Sequence, residues 1–472
     1  MKKRTARKSS GKGVGGLKRR DFLQASAVAA LGLAGGGAGL LGCDGGSTTM
    51  MMPDSGMRPE TELRILLWNH FVPQHDRWFD PFAQAWGEAN GVNVSITHVS
   101  FDMVRPMLMS EITAGDGHDL IEFVTPPPDL EPHVLDLTDV ATELEARHGT
   151  MIGLCRRSCF NPRTNVFYGI NHGWAPDPAN FRRSQWESIG MPNGPTTWQE
   201  LLEGGRRIRT EMMIPVGIGL NSEPDANMAL RALLWSFGAS VQDASAQVVI
   251  NSPQTIAALE YMSELYTDAM IPDVLMWGAA DNNRALVEGR SSYILNSISA
   301  YRTAQANVPA TADDIYFQSA LAGPMATLVG AHASPTMVIP RHSRNPNAAK
   351  DFLMHLVTNY NQVCFNSALY NLPAFPQTTP QLMGDSGWLA ADPFGSRPAS
   401  KLATLATAES WSTNLGHPGS ANPAVGEVLG AGLIPQMFSH AATGMMTPMQ
   451  AAQWAEDQIS PIFERWRMEG LI

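Results

Sequence analysis

Charge is scarce in this chain: 16% of its 472 residues are Asp, Glu, Lys or Arg, against 44% apolar. That balance excludes a disordered chain and leaves a folded one of roughly two to three ordinary domains with a large core. The charge present leans acidic, a formal −11, which argues against nucleic acid as the main partner. Cysteine is rarer still, four in all, and no zinc-type spacing occurs among them. There is no P-loop Gly-x-x-x-x-Gly-Lys-Ser/Thr, no dinucleotide Gly-x-Gly-x-x-Gly, and no His-Glu-x-x-His among the 12 His. Gly384-Asp385-Ser386-Gly387 has the letters of a serine-protease nucleophile loop, but no His and Asp stand in matching context, so it reads as a surface turn. No pair of acids stands in a glycosidase motif. These absences predict binding without turnover, with no cofactor and no metal.

The charge is also unevenly placed. Nine of the 33 Lys and Arg but only one acid, Asp21, lie at or before Cys43, so the remainder carries a net −19. Lys18-Arg19-Arg20-Asp21-Phe22-Leu23-Gln24 resembles a twin-arginine export signal. The apolar stretch from Ala25 to Leu41 is glycine-rich, a poor helix, and short of the roughly 20 strongly apolar residues of a permanent span. Leu40-Leu41-Gly42-Cys43 closes it and resembles a lipobox, which makes Cys43 a lipidation site and residues 1–43 a cleaved signal. Residues 44–60 are mostly Gly, Ser, Thr, Met and Pro, with four charged residues and no apolar period. They read as a flexible tether spanning ~20–25 Å as a random coil. No later segment is long and apolar enough to cross a bilayer.

From residue 61 the pattern is strand, helix, strand, helix, strand. Leu63 to Trp68 is an apolar run broken only by Arg64, as in a strand buried on both faces. Pro81 to Asn90 has helical period, Val92 to Thr97 alternates, Phe101 to Ala114 is helical, and Asp119 to Val124 is the third strand. This opening predicts an α/β fold with a mainly parallel sheet. Further helices are expected from Trp198, over Ala226–Phe237, from Pro253 to Asp268, over Asn347–Thr358 and from Pro448, with strands at Gly217–Leu220 and Ser292–Asn296. Cys155 and Cys159 are four apart, within disulfide reach on a helical turn, and read either as a local disulfide or as two free thiols. Cys364 reads as a small buried hydrophobe.

Aromatic residues are the positive signal. Trp68, His70 and Phe71 end the first strand, and that end of an open α/β sheet faces the ligand crevice. Trp174, Trp277 with Asp281, and Trp411 with Asn414 and His417 stand in loops rich in Pro, Gly and Asn, where core packing explains a Trp less well than on a helix. Flat apolar rings beside amides and carboxylates suit a sugar, apolar on its faces and hydroxylated at its rim. Glu223, Asp225, Asn296 and, more loosely, Asp119 complete the candidate hydrogen-bonding set.

Several segments occur in the order of a known family. Arg64 to Trp68 is similar to its opening strand, Ala114 to Ile121 to the turn before its third strand, and Val166 to Ile170 to its crossover. Pro195-Thr196-Thr197-Trp198-Gln199-Glu200-Leu201 is similar to its Pro-x-Thr-Trp-x-Glu-Leu helix start, Ala285 to Tyr293 to a later Gly element, and Ala348 to Leu353 to a late helix. His118 and Asn171 stand where that family usually has Pro. From Leu63 to Trp466 the chain thus resembles the extracellular solute-binding proteins of ABC importers, family 1, the group of maltodextrin-binding protein. The resemblance implies a type II periplasmic-binding-protein fold, with discontinuous lobes, hinge strands and a central ligand cleft. Lobe 1 is then expected over 61–170 with about 300–375, and lobe 2 over 171–299 with about 376–472. It implies a monomeric, lipid-anchored, extracytoplasmic protein that delivers a carbohydrate or polyol-like solute to a membrane permease. A secreted saccharide-active lipoprotein enzyme and a solute-sensor lipoprotein are the competing readings.

Overall fold

The computed structural model describes residues 61–472. The arginine pair, Cys43 and the tether lie outside the described residues. The first strand, Thr61–Trp68, pairs in parallel with Val92–Val99 along its whole length and with Leu120–Phe123 on its other side. Thr336–Val338 adds antiparallel to the third strand, and Ile170–Asn171 completes the five-stranded sheet. Leu63, Ile65, Leu66, Leu67 and Trp68 are all buried, as the apolar run requires of a strand covered on both faces, and Arg64, the one charge within it, pairs with Asp116 and Asp119.

The helix after the first strand runs Gln74–Asn90, not from Pro81 as expected. Its buried stripe of His75, Phe79, Ala83 and Trp86 begins before the proline, and packing of that stripe outweighs the one ladder hydrogen bond that Pro81 cannot donate. Gly91, at φ 67, takes the left-handed turn that ends the helix and sends the chain into the second strand.

A second sheet has three antiparallel strands in the order Ile315–Gln318, Ala179–Arg182, Tyr293–Leu295. The helices Trp198–Met212, Pro224–Ser236, Pro253–Ala269, Leu433–Ala442 and Pro448–Met468 pack on one another beside it. Ile315–Gln318, which the expected division places in lobe 1, pairs here with Ala179–Arg182 in the second sheet. The expected strand at Gly217–Leu220 is a loop, held by a hydrogen bond from Gly217 to Tyr293 O. Two lobes result, joined by short crossings. Gly173–Trp174 pairs with Leu372–Pro373, Ala175 bridges Ala333, and Val329–Gly330 pairs with Ser412–Thr413.

Cys155 and Cys159 lie on the helix Gly153–Cys159, and both thiols are free and buried. The disulfide alternative is therefore corrected. One helical turn carries the two Cβ vectors side by side, and Cys159 Sγ instead donates to Cys155 O at 3.3 Å. Burial pushes the Cys159 thiol up to about 12. Among the described residues no helix is long and apolar enough to cross a membrane.

Candidate functional site

At its C-terminal end the first strand leads into a tight aromatic turn. Asn69 N bonds Val99 O at 2.7 Å, and His70 is pinned by Val72 N donating to Nδ1 at 2.9 Å and by Asn371 Nδ2 at 3.0 Å from Nε2. Burial holds the His70 imidazole well below its usual pKa, so it is neutral. Trp68 is fully buried, its ring 4.9 Å from those of both His70 and Phe71. Phe71 differs from its neighbours in being 37% exposed. Its ring stands 6.0 Å from Phe101, 6.0 Å from Tyr370 and 6.4 Å from His332, as a lip on the first lobe.

The opposing polar group is built on a helix start. Glu223 caps Pro224–Ser236, its carboxylate accepting from Asp225 N at 2.8 Å and Ala226 N at 2.6 Å. Asp225 Oδ2 accepts from Asn282 Nδ2 at 2.8 Å and from Asn296 Nδ2 at 2.7 Å, and Asn296 Nδ2 also donates to Asn283 Oδ1 at 2.7 Å. His332, just past the crossing strand Val329–Gly330, links this group to the aromatic lip. Its Nδ1 is 3.2 Å from Asp177 Oδ1, and its Nε2 is 3.8 Å from Asp225 Oδ1.

Burial raises the pKa of Glu223, and the nearby Asp225 charge raises it further. Burial likewise raises Asp225, against the lowering effect of His332. For His332 burial alone would lower the pKa, but the hydrogen bond and charge of Asp177 and the charges of Asp225 and Glu223 outweigh it and raise the imidazole to about 9. Several buried polar atoms here have no partner: Trp68 Nε1, Asp177 Oδ2, Asn296 Oδ1, Tyr370 Oη and Asn371 Oδ1. Unsatisfied donors and acceptors beside an exposed ring are what a hydroxyl-rich solute can complete. Among the described residues no group of three or more His, Cys, Asp or Glu is placed to hold a metal ion.

Of the residues singled out in the sequence, Trp68, His70, Phe71, Glu223, Asp225 and Asn296 come together here. The others do not. Asp119 is wholly buried near the opposite end of the parallel sheet, where it accepts from Arg64 N, Ser343 Oγ, Arg344 N and Asn345 N and fixes the approach to the helix Pro346–Thr358. Asp281 accepts from Gly278 N and pairs with Arg284, and with Trp277 it lines a separate hollow of about 280 Å³. Trp174 is buried in the crossing strand paired with Leu372–Pro373. Trp411, Asn414 and His417 form a third group about Ser412–Thr413: Trp411 Nε1 donates to Thr407, Asn414 accepts from Arg157 Nε at 2.9 Å, and His417 meets Thr413.

The sequence pattern does not reveal Asp177, Asn282, Asn283, His332, Tyr370 and Asn371 as members of this site. Asn282 and Asn283 are visible as part of the Trp277 loop, but the helical phase that turns them to Asp225 is not. His332 follows a two-residue strand that periodicity cannot detect.

Residues 169–393 match the family of bacterial extracellular solute-binding proteins. A probable ABC transporter-binding protein of Deinococcus radiodurans is 23% identical over 291 residues, 58% of this chain and 67% of that protein. A putative oligosaccharide periplasmic-binding protein of Synechococcus superposes with a TM-score of 0.71 at 19% identity, covering 87% of this chain and all of the other. A sugar transporter of Arthrobacter chlorophenolicus, solved with laminaribiose, gives a TM-score of 0.70 at 15% identity, covering 85% of this chain and 99% of the other.

Proposed function

We propose that this chain, similar to bacterial extracellular solute-binding proteins and built on a two-lobed type II fold, is a solute-binding protein of the ABC-transporter class that captures a saccharide or polyol between the aromatic lip at Phe71 and the polar group at Asp225. The solute is then handed to a membrane permease. The observation that carries this is the pairing itself: one exposed ring on the first lobe stands 6.4 Å from His332, which is held by Asp177 and lies beside Asp225 on the second-lobe side. A ring face covers an apolar sugar face, while carboxylate and amide groups meet the hydroxyls. The laminaribiose held by the Arthrobacter neighbour supports a carbohydrate in the same fold.

Capture needs no bond making. A solute touching both lobes favours the closed arrangement by its differential affinity for it, and the short crossing strands are where closure would bend. The competing enzymatic reading needs a free acid and a free base. Both oxygens of Glu223 are already committed to helix N–H groups and Asp225 Oδ2 to two amides, which supports binding without turnover. Lobe 1 is then 61–170 with the chain from the return crossing to about 375, and lobe 2 the segments between and after. The Arg19-Arg20 pair and Leu40-Leu41-Gly42-Cys43 complete the reading as an exported protein anchored by lipid at Cys43.

A thermal-shift screen against saccharides and polyols tests it. A ligand at a hundredfold its Kd adds about 3 kcal/mol to stability, an unmistakable rise in melting temperature. No shift across the screen, or chromatographic detection of cleavage products from a bound saccharide, overturns the proposal.

A further inference from the structure

Arg231 lies in the middle of the helix Pro224–Ser236, is 1% exposed, and has neither Nε nor Nη2 in any hydrogen bond. Among the described residues it forms no salt bridge, and burial, unopposed by any carboxylate, lowers its pKa to about 10. A buried guanidinium with five donors and no acceptor is expensive, and folded proteins do not keep one idle without cause.

The helix fixes where it points. Met228 and Trp235 both lie against Gly330, within 3.3 and 3.4 Å of the place its Cβ would take, and Arg231 is three residues from one and four from the other. It therefore shares the face turned to the ribbon of Val329–Gly330 and Ser412–Thr413. On that ribbon Ser412, in register with Val329, is buried with its Oγ unpaired. One turn before Arg231, Asn227 is buried with Oδ1 unpaired. On the far side of the same strand Arg157 donates to Asn414, and its charge reaches His417, whose ring stands 5.7 Å from Trp235. Arg231 Nε and Nη2, Ser412 Oγ and Asn227 Oδ1 are thus all unpaired on this side of the helix, and the ribbon it faces runs on to His332 of the described site.

We propose that Arg231 and Ser412 Oγ bind an anionic oxygen group carried by the solute, so that the ligand is an acidic saccharide. This rests on the solute-binding reading above and narrows it. A carboxylate or a phosphate ester would accept the two parallel N–H groups of the guanidinium and the serine hydroxyl. Asn227 Oδ1 accepts from a neighbouring sugar hydroxyl.

The test is calorimetry and thermal shift on the purified protein with matched sets: glucose, glucuronate and glucose 6-phosphate, the galactose counterparts, and galactobiose against digalacturonate. Wild type is expected to bind an acidic member at least tenfold more tightly than its neutral partner. Arg231→Met is expected to lose that preference, and, empty, to melt at or above the wild-type temperature because an uncompensated buried charge is gone. Arg231→Lys should keep part of the preference. Tighter binding of the phosphate than of the uronate keeps the proposal and names the source of the anion. Equal or better binding of the neutral partner, or unchanged uronate binding by Arg231→Met, overturns it and leaves solute capture standing. An empty Arg231→Met that melts many degrees lower assigns the arginine to the core and also overturns it. If no member of any set binds, both readings fall together.

Discussion

Phe71→Ala separates binding from folding at this site. Phe71 keeps 37% of its surface exposed, whereas Trp174 keeps 3%. Truncating a fully buried aromatic costs about 3–5 kcal/mol, so a ring with a third of its surface already in water should cost about 2–3 kcal/mol. For a chain of this size 1 kcal/mol lowers the melting temperature by about 2 °C, so the empty variant should melt only a few degrees lower. A ring that stacks on a planar ligand is worth about 1–3 kcal/mol, or ~5–150-fold in Kd. Trp174→Ala should do the reverse, costing about 3–5 kcal/mol of stability because it empties part of the crossing between the lobes. Calorimetry with a saccharide from the screen and thermal melts of the empty proteins measure both quantities. Phe71→Ala binding within twofold of wild type, or Trp174→Ala melting with wild type, refutes the assignment of the lip.

Glu223, Asp225 and His332 all have pKa values raised in the fold, so each contributes stability at low pH that is lost as pH rises through its folded value; for His332 the loss begins at 6.5 and is complete by about 9. His70 is lowered instead, and its contribution fades as pH falls below 6.5. Melting temperatures of the empty protein should fall as pH rises from neutral toward 9, and His332→Gln should flatten that alkaline limb; a flat wild-type profile contradicts this. Asp119→Ala should destabilise by about 3–5 kcal/mol, by leaving Arg64 and three other donors without their acceptor, and yet bind a saccharide with wild-type affinity in the folded fraction, read by denaturant melts and calorimetry. Cys155, Cys159 and Cys364 should react with a thiol reagent only in denaturant, and resistance of the denatured chain until a reductant is added would show a disulfide. Cys43→Ala should release the protein from the membrane fraction.

The fold and its site are legible from residues alone where one local rule and one tertiary fact coincide. Ile65 to Trp68 is apolar without alternation because the strand is covered on both faces, and the residues at its end reach the candidate site because every parallel strand in such a sheet points the same way. Glu223 is named from the sequence only as a hydrogen-bonding acid; its place at a helix start directly before Pro224, accepting from the N–H groups of Asp225 and Ala226, belongs to the structure, since the sequence pattern starts that helix only at Ala226. Loop tryptophans are less informative than they look. Proline, glycine and asparagine around Trp174, Trp277 and Trp411 do mark irregular backbone, but in a two-lobed chain irregular backbone also makes the crossings, and those are packed as tightly as a core. Exposure of the ring, which no local pattern encodes, decides between the two, and it selects Phe71. His332 and Arg231 are invisible in the sequence for complementary reasons. His332 depends on partners 155 and 107 residues away, and Arg231 is conspicuous only because no partner is there at all.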